Sequence, residues 1–208
     1  MSLGANTGLS ERAMLNLLLS VLLMAGPEIV CRLGPGTPAY NAYSDERSSA
    51  DALELAGKVN AALVSACRPN CPRISMFRNP TASNLMLIRA GDQMKLVYKP
   101  EFFTSVYETY GDAGIAALIA HEVGHAIDAA APAAWMKSNW SAELRADAWT
   151  GCAIAKMDLS KRAQQAALTT LSKYSPYSQP DWSVRLPIVE MGYRQCDGKG
   201  AEKSGPDG

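Results

Sequence analysis

Residues 111–130 read Gly-Asp-Ala-Gly-Ile-Ala-Ala-Leu-Ile-Ala-His-Glu-Val-Gly-His-Ala-Ile-Asp-Ala-Ala, and Pro132 closes the run. Alanine, leucine and isoleucine at this density predict a helix, and its apolar residues predict that the helix is buried. The chain's only two histidines, His121 and His125, stand four residues apart in it. Residues i and i+4 share a helix face, so both imidazoles can converge on one ion. Zinc takes imidazole nitrogen at about 2.0–2.1 Å, and this spacing asks for no backbone distortion. Glu122 lies about 100° round the helix from His121. It therefore flanks an ion rather than ligating it, where it can take a proton from a water that the metal activates. Buried histidines and a buried glutamate are costly unless such a partner exists. Gly124, between them, lets another element approach closely.

A catalytic zinc site commonly has three protein ligands and one open position. One known arrangement puts a ligand six residues beyond the second histidine, after a glycine three beyond, but those positions are Ala131 and Asp128. Asp128 is a weaker candidate by proximity alone. The stronger candidate is Glu143, eighteen residues past His125, in Glu-Leu-Arg-Ala-Asp-Ala-Trp-Thr-Gly (143–151). A helix beginning near Ser141 carries Glu143 in its first turn. Asp147, four residues on, shares that face and can accept the remaining ring N–H of a liganding histidine. Ala146 and Gly151 are small enough to let the two helices pack closely. On their own, Glu143 and Asp147 would read as a solvated face beside Arg145.

Around this centre the pattern predicts an α+β domain. Ser48–Ala66 has Ala52, Leu55, Ala56, Val59, Ala62 and Leu63 at helical spacing. Strand-like segments follow at Arg73–Phe77, Asn84–Ala90 and Met94–Tyr98, the last two joined by Gly91-Asp92 as a hairpin turn. Pro100 opens a short aromatic helix before Gly111, and helices recur at about 142–157, 160–172 and 184–195. Strands come first and helices after, so the expected sheet is a small antiparallel one packed on the histidine helix, with a mostly helical C-terminal half. The expected organisation is a signal peptide over 1–25, an irregular Gly/Pro-rich arm over 26–47, one domain over 48–196 and a mobile tail over 197–208.

Twenty basic and twenty acidic residues give a formal net charge of zero, which excludes a nucleic-acid binder or an acidic-membrane binder recognised by charge. Met14–Ala25 is apolar for about twelve residues, short of the roughly 20 that span a bilayer. It fits the core of a secretory signal with Ala25 and Gly26 at the cut, which implies an exported protein without a stable membrane span. Export permits disulfides among Cys31, Cys67, Cys71, Cys152 and Cys196. Cys67–Cys71 and Cys152–Cys196 are the preferred pairs, and an odd count leaves one thiol free or paired between chains. In a cytosolic protein all five would be reduced.

Together, His121-Glu122-x-x-His125 and Glu143-x-x-Ala146-Asp147-x-x-x-Gly151 resemble the gluzincin metallopeptidases. The likeness is to the family of the heat-shock membrane protease and the CAAX-prenyl endopeptidase, and to neutral zinc metallopeptidases of bacteria. It implies a zincin-like fold with His121, His125 and Glu143 as zinc ligands, Glu122 as base and Asp147 orienting a histidine. Two weaker echoes are the 84–98 hairpin, whose edge strand would pair with extended substrate, and Ser178-Gln179-Pro180 with Arg185 and Gly192-Tyr193. In that second echo glutamine stands where the family has histidine. The multi-span membrane helices of the larger members are missing.

The expectation is therefore a zinc-dependent peptidase acting on peptide or protein substrates. Arg185, Tyr193 and Tyr174 are candidates for stabilising the oxyanion. The rival is a zinc-stabilised binding protein that keeps the fold without proteolysis.

Overall fold

Segment 74–98 folds into three strands within a larger sheet. The computed structural model describes residues 27–34, 39–67, 69, 71–175 and 179–197. The expected signal peptide and nearly all of the expected tail lie outside those residues. Among the described residues the fold is mixed α+β, mostly helical, with five strands and five helices. The strands are β1 (Glu28–Leu33), β2 (Glu46–Arg47), β3 (Ile74–Arg78), β4 (Leu85–Ala90) and β5 (Gln93–Tyr98). The helices are α1 (Ala50–Cys67), α2 (Pro100–Ala130), α3 (Ala142–Lys156), α4 (Lys161–Lys173) and α5 (Trp182–Cys196).

The sheet order is β1-β4-β5-β3-β2, which corrects three expectations. First, the sheet is not purely antiparallel. The β4–β5 hairpin turns at Gly91-Asp92, and its return strand slots between β4 and β3, pairing antiparallel with one and parallel with the other. Second, neither hairpin strand is an edge. Leu85, Met86, Leu87 and Ile88 are all fully buried because β4 is covered on both faces. Third, the arm over 26–47 is not irregular throughout: its residues 28–33 form β1, antiparallel to β4. Leu85 and Leu96 face the main core, whereas Met86, Ile88 and Val97 pack with Ala82 on the opposite face.

The histidine helix forms as its composition predicts. Gly111 (φ 64°, ψ −164°) breaks α2 between its aromatic N-terminal part and the alanine-rich run. A side chain rarely adopts that backbone conformation, so glycine is what permits the break. From Ala113 to Ile127 every residue of the run is buried. Phe102 and Phe103 are core residues, with Phe103 stacked on Tyr98 and Phe102 edge-on to Tyr174.

Both preferred disulfides are present, Cys67–Cys71 and Cys152–Cys196, leaving Cys31 free and buried. Among the described residues no helix is long and apolar enough to cross a membrane.

Candidate metal centre

Two close helix contacts build the site. A Cβ on Gly124 would lie 2.9 Å from the Ala146 carbonyl oxygen and 3.0 Å from Trp149 Cβ, so this glycine lets α3 press against α2 at the histidines. Gly151 does not serve that contact. Its missing side chain faces the Val189 carbonyl oxygen of α5, 1.9 Å from where a Cβ would lie, and Gly192 meets Ala148 of α3 in the same way. The seam it opens is α3 against α5.

Ser141 caps α3, its Oγ accepting from the Leu144 N–H at 3.4 Å. The cap puts Glu143 in the first turn, where the positive end of the helix favours a carboxylate. Glu143 Oε2 lies 3.2 Å from His121 Nε2 and 3.5 Å from His125 Nε2. Cys31, delivered by β1, brings its Sγ to 4.0 Å from Glu143 Oε1. The four donor atoms all lie within 4.8 Å of one another. Ligands of a tetrahedral zinc ion, bound at about 2.0–2.3 Å, stand roughly 3.3–3.8 Å apart. The buried Cys/His/His/Glu cluster therefore has the donor types, close enough together, to hold a metal ion after a small inward adjustment.

Unsatisfied polar atoms agree with that fit. His125 Nε2 and both carboxylate oxygens of Glu122 are buried without a hydrogen bond of good geometry, their polar neighbours being Glu143 and the Cys31 thiol. Such groups are costly in a protein interior unless something else meets them. His121 Nδ1 lies 3.1 Å from Asp147 Oδ1, close enough for the carboxylate to orient the ring.

Charge is shared across the cluster. Burial alone would lower His121, but the Asp147 and Glu143 carboxylates outweigh it and push the imidazole up to about 9. Burial, with the charge of Glu143 adding to it, pushes Glu122 up to about 8. Burial lowers His125. Burial would raise both other carboxylates, yet the two histidines hold Glu143 below the usual range, and Arg185 with His121 does the same for Asp147. Burial also pushes the Cys31 thiol up, and the charges of Glu122 and Glu143 act in the same direction.

Four residues singled out in the sequence make contacts elsewhere. Arg185 is fully buried and grips Asp147 through Nε–Oδ2 at 2.8 Å and Nη2–Oδ1 at 2.7 Å, with its third nitrogen donating to Ser175 Oγ. Its three nitrogens are thus engaged with Asp147 and Ser175. Tyr193 OH accepts from Gln164 and Tyr174 packs on Phe102 and Tyr110, so neither turns toward the metal donors. Asp128, the weaker ligand candidate, is held by Arg145 at 2.7 Å and does not belong to the clustered donors.

Two residues that the sequence reading underrated are at the centre. Gln179 is buried, with Nε2 3.2 Å from His121 Nε2 and a hydrogen bond to Glu143 Oε2. Its only signal in the sequence is its place in the weak second echo, where it replaces a histidine; Ser178 lies outside the described residues. Cys31 is visible in sequence only as the odd cysteine. Compared with known proteins, the chain matches no protein-family model, no curated protein and no solved structure. Function is therefore read from the site itself.

Proposed function

We propose that this chain is an exported, zinc-dependent metallopeptidase of zincin-like fold that hydrolyses peptide bonds in peptide or protein substrates. His121, His125 and Glu143 are its metal ligands, a borderline-soft donor set that suits zinc. When bound, zinc supplies Lewis acidity, lowering the pKa of water and polarising the scissile carbonyl. Glu122 takes a proton from the attacking water and returns it to the leaving amine. Asp147, gripped by Arg185, holds the His121 ring in place from its Nδ1 side. The Gln179 amide, beside His121 and Glu143, is the donor we assign to the negative charge that develops in acyl transfer. The resemblance of both motifs to gluzincins supports this reading, and the two disulfides support export.

The observation that carries the reading is Glu122. A purely structural metal site has no use for a fully buried carboxylate, held by no hydrogen bond of good geometry, beside a liganding histidine. A hydrolytic site needs one there.

The second reading is a zinc-stabilised binding protein without proteolysis. It is favoured by Cys31, because a fourth protein donor closes the coordination shell as in structural sites. Cleavage of an unstructured protein such as casein separates the two. Zinc-loaded wild type cleaves it, and Glu122→Gln keeps its zinc while losing at least about 100-fold in rate. Equal cleavage by both proteins would refute the role given to Glu122.

A further inference from the structure

The geometry points to Cys31 as a fourth metal ligand carried on a displaceable strand: β1 occupies the sheet edge an extended substrate would use, and its thiol fills the coordination position catalysis needs. This inference rests on the peptidase reading and adds its regulation.

Three observations converge on it. The first is chemical. The Cys31 sulfur belongs to the same buried set as His121, His125 and Glu143, all within 4.8 Å, and thiolate is a strong zinc ligand. With it in place the shell holds four protein donors and no open position. The second is Glu122, fully buried, whose polar neighbour on this side of the cluster is the Cys31 thiol itself. A carboxylate that meets the thiol while Cys31 is in place is freed for proton transfer once the thiol leaves.

The third is the strand itself. Peptides commonly bind by adding a strand to a sheet edge. The outer edge of β4 is already paired with β1, in the register Cys31↔Leu87 to Leu33↔Leu85. The register shifts between Ile29 and Cys31, leaving Val30 as an extra residue. Bulges of this kind re-aim a side chain, and this one directs Cys31 inward beside Leu87, Met94 and Ala126. The strand is held unequally along its length. Near its C-terminal end, Gly34 N–H donates to the Tyr174 carbonyl at 2.9 Å and Asn84 Nδ2 donates to the Leu33 carbonyl at 3.1 Å. At its N-terminal end Glu28 and Ile29 are exposed, with a Glu28–Arg89 ion pair at 3.3 Å that contributes little. β1 can therefore peel from Glu28 while staying tethered near Gly34. That motion uncovers the β4 edge and removes the thiol together.

The test uses the full-length protein loaded with cobalt or zinc. Cobalt-substituted wild type shows the near-ultraviolet sulfur-to-cobalt charge-transfer band, and Cys31→Ser lacks it. Zinc-loaded wild type resists alkylation of Cys31 by iodoacetamide, and chelation makes that thiol react. Cys31→Ser retains one equivalent of zinc and cleaves casein at least about tenfold faster than wild type. Absence of the band in wild type, or loss of zinc from Cys31→Ser, overturns the ligand assignment or the spare character of the fourth ligand. Equal cleavage by Cys31→Ser and wild type overturns the plug alone and leaves the peptidase reading standing. If neither zinc-loaded protein cleaves while the band behaves as expected, the peptidase reading falls, the plug falls with it, and Cys31 is an ordinary structural ligand.

Discussion

Arg185 and Asp147 form a fully buried, two-point ion pair between α5 and α3, and Asp147 Oδ1, which accepts from Arg185 Nη2, also lies 3.1 Å from His121 Nδ1. A pair of this kind is geometrically demanding, because removing either partner strands a charge in the interior. Replacing Arg185 by Met should lower stability by about 3–5 kcal/mol, and Arg185→Lys should not restore it, since an ammonium cannot reproduce the planar fork. Asp147→Asn should weaken zinc binding about 10- to 100-fold through loss of the histidine's orienting partner. Denaturant melts and competition against a chromogenic chelator measure these effects. Wild-type zinc affinity in Asp147→Asn would show that His121 needs no such support.

Stripping the metal should leave a protein whose stability falls as pH rises. In the metal-free fold His121 is raised to about 9 and Glu122 to about 8, each above its value in the unfolded chain. A group raised on folding contributes stability that is fully present below its unfolded pKa and lost as pH rises through the folded one. For His121 that window runs from about 6.5 to about 9. Chelator-treated protein should therefore show a falling Tm across it, and His121→Gln should flatten much of the slope. Zinc-loaded protein, whose liganding imidazole is neutral, should lack the decline. A flat Tm in the stripped wild type would contradict the proton sharing described for the cluster.

What could be read in the sequence follows from how local each feature is. The histidine helix, the first-turn place of Glu143 and the shared face of Asp147 depend on i to i+4 spacing, which one strand of text displays. Close helix packing is partly legible: Gly124 announces a close approach, but nothing in the spacing says that Gly151 meets α5 rather than α2. The pairing of β1 with β4 and the parallel pairing of β3 with β5 join residues far apart, and a six-residue edge strand beside glycines and prolines carries little periodicity. Cys31 was hidden for that reason. Its place at the metal donors is a property of sheet order, not of any neighbouring residue. An arginine such as Arg185 announces a charge in sequence without its partner, and only the fold shows that partner to be Asp147.

The two disulfides should contribute unequally. Cys152–Cys196 ties α3 to α5 across a separation of 44 residues, whereas Cys67–Cys71 spans only 4. If a cross-link acts by restricting the unfolded chain, its contribution grows with the logarithm of the loop, giving about 4 kcal/mol for the long bridge and about 2 kcal/mol for the short one. The long bridge also lies across the seam where Gly151 and Gly192 let α3 and α5 touch, the same seam that the Arg185–Asp147 pair crosses. Its loss should therefore loosen the support behind His121 as well as the chain. Replacing Cys152 and Cys196 by Ser should lower both the unfolding free energy and the zinc affinity, while replacing Cys67 and Cys71 should lower the former by less and leave the latter unchanged. Urea unfolding and chelator competition on the two double variants test the order. If the short bridge proves the more costly to lose, or if zinc affinity is indifferent to both, α5 is not the brace that the geometry makes it.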